Sequence, residues 1–279
     1  MNARKAKHGW VWTLFFSVFS LLWIYPIVLV FINSFKKKAY ISRDPFSIPS
    51  GKMFVQMENY INGIKKTGLI EAFGYSLFIT IFSVAAIILF CSMTAWYITR
   101  VKSKTTQTIY YLCLFSMIVP FQMVMFTLSK IANMLKLGNP VGIVLVYLGF
   151  GAGLSVFMFT GFCKSIPLEI EEAAMIDGCN PLQTFFQVVL PIMKPTCITV
   201  TILQAMWIWN DYLLPSLVLD QKKYKTIPMA VQYLKGGYGS VDMGAMMGVL
   251  VIAIIPIIIF YIACQKYIIE GVVAGAVKG

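Results

Sequence analysis

Six apolar runs, at 10–35, 73–99, 107–128, 140–162, 196–219 and 243–264, constrain this sequence more than any other feature. A helix needs about 20 apolar residues to cross roughly 30 Å of hydrocarbon, and each run meets that length. Hydrophobic residues make up 59% of the chain and charged ones only 12%, against about 25% charged in soluble domains. Trp10, Trp12, Trp96, Tyr97, Tyr261 and Tyr267 fall near run ends, where amphipathic rings sit at headgroup level. The first run is longer than a signal-peptide core and no small-residue cleavage site follows it, so it is expected to remain as a span. The expectation is an all-α, multi-pass membrane protein with six transmembrane helices in a single domain covering 1–279.

The net charge of +12 invites a nucleic-acid reading, but the Lys and Arg residues sit in the gaps between runs, where headgroups and water receive them. No basic block interleaves with aromatics, so the expected partner is the lipid bilayer and no nucleic acid. Cys91, Cys113, Cys163, Cys179, Cys197 and Cys264 have no C-x-x-C spacing and read as small hydrophobes. His8 is the single histidine, so zinc chemistry and Ser-His catalysis lack their best group, and no metal is expected. An even number of spans puts both termini on one side. If that side is the cytoplasm, 10 of the 23 Lys and Arg residues lie inside and 13 outside, so charge leaves the orientation open.

Two connections are long. The loop 36–72 carries Pro45, Pro49 and Gly51 before "FVQMENYINGIKK", and reads as a turn followed by a short amphipathic helix on the membrane surface. The polar insert 163–195 has helix signals in order: Ser165 as cap, Pro167 in the first turn, and Glu169, Glu171 and Glu172 at the positive end of the dipole. Gly178 supplies a left-handed stop, then Asn180 caps and Pro181 opens a second helix running to Pro191. Ile170, Ala173, Ala174 and Ile176 fall near one side of the first helix, and Leu182, Phe185, Phe186 and Val189 form a stripe on the second. Such an elbow suits either a hairpin resting on the bundle or a docking knob for a soluble partner.

The elbow's register resembles a family. Glu172-Ala173-Ala174, Gly178, Val188 and Leu190-Pro191 stand at the spacing of the "EAA" signature of ABC-importer transmembrane subunits, with Val188 where the family favours Ile. "WIWNDYLLPSLVL" (207–219) and "EGVVAGAVKG" (270–279) are similar to the carbohydrate-uptake branch, near the smaller permease of maltose-type systems, and the resemblance covers essentially the whole chain. It implies the type I ABC importer permease fold. It also implies a bacterial cell membrane, both termini and the EAA loop 163–195 cytoplasmic, and the loop 36–72 extracellular. The implied partners are a second homologous permease in a heterodimer, two cytoplasmic ATP-binding subunits and an extracytoplasmic sugar-binding protein.

On that resemblance Glu172, Ala173, Ala174, Asp177, Gly178, Leu190 and Pro191 belong to a coupling helix docking on the ATPase, and Ala274, Gly275, Ala276, Val277, Lys278 and Gly279 to an ATPase-contacting tail. The chain has no G-x-x-x-x-G-K-[ST] phosphate loop, so no cofactor of its own is expected, ATP and Mg being bound by partner subunits. Asn210 and Asp211 place polar groups inside the fifth run beside Trp207, Trp209 and Tyr212, a composition that suits sugar hydroxyls and ring faces. Asp211 equally suits backbone groups freed by a break before Pro215. Pro120 and Gln122 in "MIVPFQMVMF" point to a kinked pathway helix whose methionines pack. Lys235, Gly236, Gly237, Tyr238 and Gly239 form a pliant tip that the resemblance assigns to the binding protein. The competing readings are a permease for another delivered solute, such as a glycerol-phosphate-type compound, or an ion-coupled secondary transporter. The latter needs intramembrane ion ligands and usually repeats, whereas Asp211 is the only clear mid-span acid and no repeat is evident.

Overall fold

The computed structural model describes residues 9–234 and 241–276. In chain order the helices are α1 (Gly9–Asn33), α2 (Lys38–Arg43), α3 (Glu58–Thr67), α4 (Leu69–Arg100), α5 (Lys104–Ile118), α6 (Phe121–Met134), α7 (Pro140–Cys163), α8 (Leu168–Ile176), α9 (Pro181–Thr184), α10 (Leu190–Ile192), α11 (Lys194–Asn210), α12 (Leu213–Val218), α13 (Ile227–Tyr233) and α14 (Met243–Ala276). Among the described residues extended pairing is limited to one isolated bridge, Lys36 with Phe54. Helices α1, α4, α7 and α14 are each long and apolar enough to cross a bilayer alone. The number of candidate crossings rises from four to six if each of two bent helix pairs counts as one span: α5 with α6, bent by 110°, and Pro181–Ile192 with α11, bent by 76°.

The bends have local causes. Pro120 has no N–H to donate, and it holds Val119 in extended backbone (φ −72°, ψ 116°), so the expected kink is a complete break between α5 and α6. The fifth apolar run is also interrupted, because Asp211 turns extended (ψ 123°) between α11 and α12.

Contacts divide the chain into two units, of which one comprises Met1–Leu69 with Ala230–Pro256. Here the long loop is a built structure. The apolar side of α3 (Tyr60, Gly63, Thr67) is buried. The expected surface helix therefore turns this face to the chain's own α14 and not to lipid: Gly63 lies against Val249 and Ala245, and Gly244 and Gly248 against Asn59. A Cβ at Gly244 would stand 2.4 Å from Asn59 Oδ1, so only glycine permits this approach. The Asn59 amide donates to the Ser34 and Lys36 carbonyls at 2.8 Å each, and the Ser34 and Tyr60 hydroxyls meet at 2.6 Å. Lys36 is buried, its Nζ donating to the Asp44 carbonyl at 2.8 Å. Lys66 pairs with Asp242. In the same unit α1 leaves Trp10, Phe16, Leu21 and Trp23 exposed and buries only Asn33, the surface expected of a helix whose solvent is lipid tails.

The other unit comprises Ile70–Met229 with Ile257–Gly279. Its core is built around α7, with Tyr147, Val156 and Phe159 packed among Ile79 and Ile87 of α4, Phe185 and Met193. All six cysteines are free thiols, Cys91 and Cys163 buried and the others partly so.

Candidate functional site

The elbow between α7 and α11 is assembled from local signals with one exception. Ser165 does not cap α8, because its hydroxyl donates to the Phe162 carbonyl at 2.7 Å, an acceptor left free at the end of α7. Pro167 occupies the cap position instead. The stop is as expected: Gly178 takes φ +91°, its N–H donates to the Met175 carbonyl, and Cys179 N–H reaches back to Ala174. Asn180 and Gln183 then form a reciprocal capping box at 2.9 Å in both directions, with Pro181 in the first position. The second helix runs through a π-helical turn at Phe185–Val189 and reaches Ile192 before bending into α11.

What fixes the elbow to the bundle is Glu171, expected only to favour the positive end of the α8 dipole. Glu171 is 1% exposed, and its carboxylate accepts from Arg100 Nε (2.9 Å), Arg100 Nη2 (2.6 Å) and Trp96 Nε1 (2.9 Å). Arg100 Nη2 also donates to the Ile166 carbonyl at 3.0 Å. The Trp96 ring meets Phe185 with centroids 5.5 Å apart, so the end of α4 holds both elbow helices. Both Arg100 nitrogens converge on Glu171 Oε1 and the Trp96 indole takes Oε2, so this charge-assisted pair engages both carboxylate oxygens. Glu172, one residue on, points the other way and is exposed, as are Ala173, Asp177, Gly178 and Pro191, while Leu190 is half-buried. Ala174 is buried, so of the two alanines only Ala173 lies on the outer surface. Around these sit uncovered apolar side chains, Leu182, Phe186 and above all Ile176 at 86% exposure.

A second site lies at the breaks in α5–α6 and α11–α12. A cavity of about 470 Å³ is lined by Gln122, Trp207 and Asp211, three of the expected pathway residues, together with Ser116, Phe121, Phe150 and Gln204. Met117 is also in the wall, and its side chain packs against Gly153 of α7. Asp211 Oδ1 accepts the N–H groups of Leu213 (2.9 Å) and Leu214 (3.3 Å), capping α12, and its Oδ2 accepts the Tyr147 hydroxyl at 3.1 Å. Asp211 therefore both satisfies the broken backbone and borders the cavity. Asn210 and Tyr212 are not in the wall: the Asn210 amide donates to the Met206 carbonyl at 2.7 Å. Trp209 packs edge-on against Phe73. Gln204 was not expected, although a lone amide in an apolar run was signal enough.

The glycine-rich tip Lys235, Gly236, Gly237, Tyr238 and Gly239 lies outside the described residues, as do Val277, Lys278 and Gly279 of the tail. Ala274, Gly275 and Ala276 fall in the last turn of α14.

Comparison with known proteins bears on both sites. Residues 88–273, which include the elbow and the cavity, match the family described as binding-protein-dependent transport system inner membrane component. The chain is 41% identical over 261 residues, 94% of each protein, to the probable starch degradation products transport system permease protein AmyC of Thermoanaerobacterium thermosulfurigenes. It is 32% identical over 279 residues, 99% of each, to the multiple sugar-binding transport system permease protein MsmG of Streptococcus mutans. Among solved structures, it superposes with a TM-score of 0.75 on a chain of a bacterial ABC transporter involved in the import of the acidic polysaccharide alginate, at 25% identity, covering 96% of this chain and 99% of that one.

Proposed function

We propose that this chain, which belongs to the binding-protein-dependent transport system inner membrane component family, is the non-catalytic permease subunit of an ATP-driven importer for a carbohydrate. It pairs with a second, homologous permease in a bacterial cell membrane and takes its sugar from an extracytoplasmic binding protein. Two cytoplasmic subunits bind ATP and Mg, and both termini of this chain face them. The observation that carries the reading is the elbow. Its inner side is held to α4 through buried Glu171, and its outer side presents Glu172, Ala173, Asp177, Gly178 and exposed Ile176. An apolar knob ringed by acids and tied stiffly to the bundle is what a soluble ATPase needs in order to push on the spans. The carbohydrate assignment is supported by the relatives, named for starch degradation products and for multiple sugars. Gln122, Trp207 and Asp211 contribute this subunit's share of the pathway wall.

The test is reconstitution of the chain with a partner permease, ATP-binding subunits and a sugar-binding protein in proteoliposomes. Glu172→Lys should cut ATP-dependent sugar uptake by at least ten-fold while the subunit still inserts, and Glu171-anchored folding should persist. Uptake by the chain under an ion gradient with no ATPase present would refute the reading, as would normal ATP-dependent uptake by Glu172→Lys.

A further inference from the structure

A further cavity, of about 760 Å³, lies where α4 ends, α5 begins and α7 ends. Its wall holds Arg100, Lys102, Lys104 and Lys164 and contains no Asp or Glu. The Arg100 charge is already met, because its Nε and Nη2 are bound to Glu171, which is not itself in the wall. Lys102, Lys104 and Lys164 are exposed and, among the described residues, form no ion pair. Lys164 instead stands over the ring of Tyr110, another wall residue, 5.9 Å from its centroid. The first turn of α5 shares the wall, so the positive end of a 15-residue helix dipole adds to the same field. Three uncompensated cations along one concave wall repel one another, and an anion held between them relieves that repulsion. Apolar surface continues from the cations. Tyr111 lines the cavity at 62% exposure, and beyond it on α5 Phe115 and Ile118 are 61% and 75% exposed. Their helical spacing makes a stripe about 10 Å long that leads away from the lysines. Because α4 and α7 are each long and apolar enough to cross a bilayer, a cavity at their ends lies at headgroup depth.

We infer that this cavity is a binding site for an anionic phospholipid, its phosphate held among Lys102, Lys104 and Lys164 and an acyl chain lying on Tyr111, Phe115 and Ile118. A soluble anion would satisfy the lysines but leave the stripe uncovered. A zwitterionic lipid would cover the stripe, but its headgroup cation would stand among three others. An anionic phospholipid meets both demands. Each lysine near the membrane surface strengthens binding of such a headgroup about five-fold. Arg100 ties the site to the rest of the fold: the same side chain lines the cavity and holds Glu171, so a lipid seated here lies against the anchor of the elbow. The inference goes beyond the importer reading, since it concerns a resident lipid and not the transported solute.

The experiment uses the full chain purified in detergent with its partner subunits. Native mass spectrometry counts bound lipid as phosphatidylglycerol, or phosphatidylcholine with the same acyl chains, is added. Phosphatidylglycerol should bind at least about ten-fold more tightly than phosphatidylcholine. Lys104→Gln and Lys164→Gln should each weaken phosphatidylglycerol about five-fold and leave phosphatidylcholine unchanged. Gln107→Lys adds a cation at an exposed wall position and should strengthen phosphatidylglycerol about five-fold. That gain keeps the inference falsifiable if a loss variant fails to assemble. Lys194, exposed at the start of α11 and outside the wall, is the control for diffuse attraction, and Lys194→Gln should change nothing. Equal binding of the two lipids would overturn the inference, as would a loss in Lys194→Gln equal to that in Lys104→Gln, or indifference to Gln107→Lys. Displacement of the lipid by millimolar inorganic phosphate at matched ionic strength would assign the cavity to a soluble anion. Absence of a saturable site would mean that another subunit covers the stripe. Either result also defeats the inference. None of these readouts depends on sugar uptake, so the importer reading stands or falls separately.

Discussion

Arg100→Met removes the guanidinium that holds the elbow while its methylene-like stem continues to pack. In the folded protein Glu171 would then keep only the Trp96 N–H, its side chain 2% exposed with no cation beside it. Removing one partner of a buried ion pair costs roughly 3–5 kcal/mol, because the remaining charge is stranded. Arg100 is 19% exposed, so water can reach part of the vacated space and the lower figure, about 3 kcal/mol, is the expected one. That energy falls on the contact between α8 and the end of α4. It should therefore appear as local opening of the elbow, with hydrogen exchange of the α8 amides faster by roughly a hundred-fold and that of α7 little changed. The double variant Arg100→Met/Glu171→Met carries no stranded charge and should recover to within about 1 kcal/mol of the parent. Hydrogen-exchange mass spectrometry of the purified transporter in nanodiscs reads all three proteins. Unchanged α8 exchange in Arg100→Met, or a double variant less protected than the single, would refute the argument that the pair anchors the elbow.

Two further outcomes follow from the first unit. Gly244→Ala should lower thermal stability by about 1–3 kcal/mol, since its Cβ would meet Asn59 Oδ1 and displace the amide that holds the Ser34 and Lys36 carbonyls. Gly74→Ala, a helical position with nothing within 4 Å, is the control and should be neutral or slightly stabilising. Burial alone would push the Asp242 carboxyl up, but hydrogen bonds from Lys66 and the Ala245 N–H, with the charges of Lys66 and Lys38, hold it below the ordinary carboxylate range. A folded value below the unfolded one gives stability that is complete above the unfolded carboxylate range and is lost as pH falls through the folded value. Both side chains are partly exposed, so the effect is at most about 1 kcal/mol. Lys66→Met should flatten the acid limb of a stability–pH curve measured by thermal unfolding, and an unchanged limb would contradict the assignment.

Local chemistry was legible in this sequence, and contacts across long separations were not. Gly178, Asn180 and Pro181 do what their types dictate within four residues of themselves, so the elbow's turn could be read directly. Ser165 could not, because a cap competes with whatever carbonyl lies nearby, and the end of α7 offered one at Phe162. Glu171 and Glu172 are identical in type and adjacent. About 100° of helical rotation separates them, and only the meeting with Arg100, 71 residues earlier, decides which is buried. The loop 36–72 likewise looked like a surface helix because its counterpart lies far along the chain: Lys66 finds Asp242 176 residues later. Hydropathy could not tell a straight helix from a bent pair, since the breaks at Val119–Pro120 and at Met193 leave mean hydropathy almost untouched.

The two candidate sites are joined by one helix. Residue 193 ends the elbow, and α11 begins at Lys194, carrying Gln204 and Trp207 into the cavity wall about 15–20 Å along its axis. At its far end Asp211 caps α12 and accepts the Tyr147 hydroxyl, while Gln204 is held by Gly151 and Ser155, so α11 is fastened to α7 at two points beside the cavity. A helix gripped there cannot absorb a displacement of the elbow by sliding freely. It must either carry α7 with it or break the Gln204 and Asp211 hydrogen bonds, and each of these changes the cavity wall. On the proposed function, a push on the elbow would therefore alter the surface that a ligand meets in the cavity. This also explains why neither Gln204 nor Asp211 can be judged as purely structural or purely ligand-facing. Each holds a helix and borders the cavity, and a displacement that alters the first role necessarily alters the second.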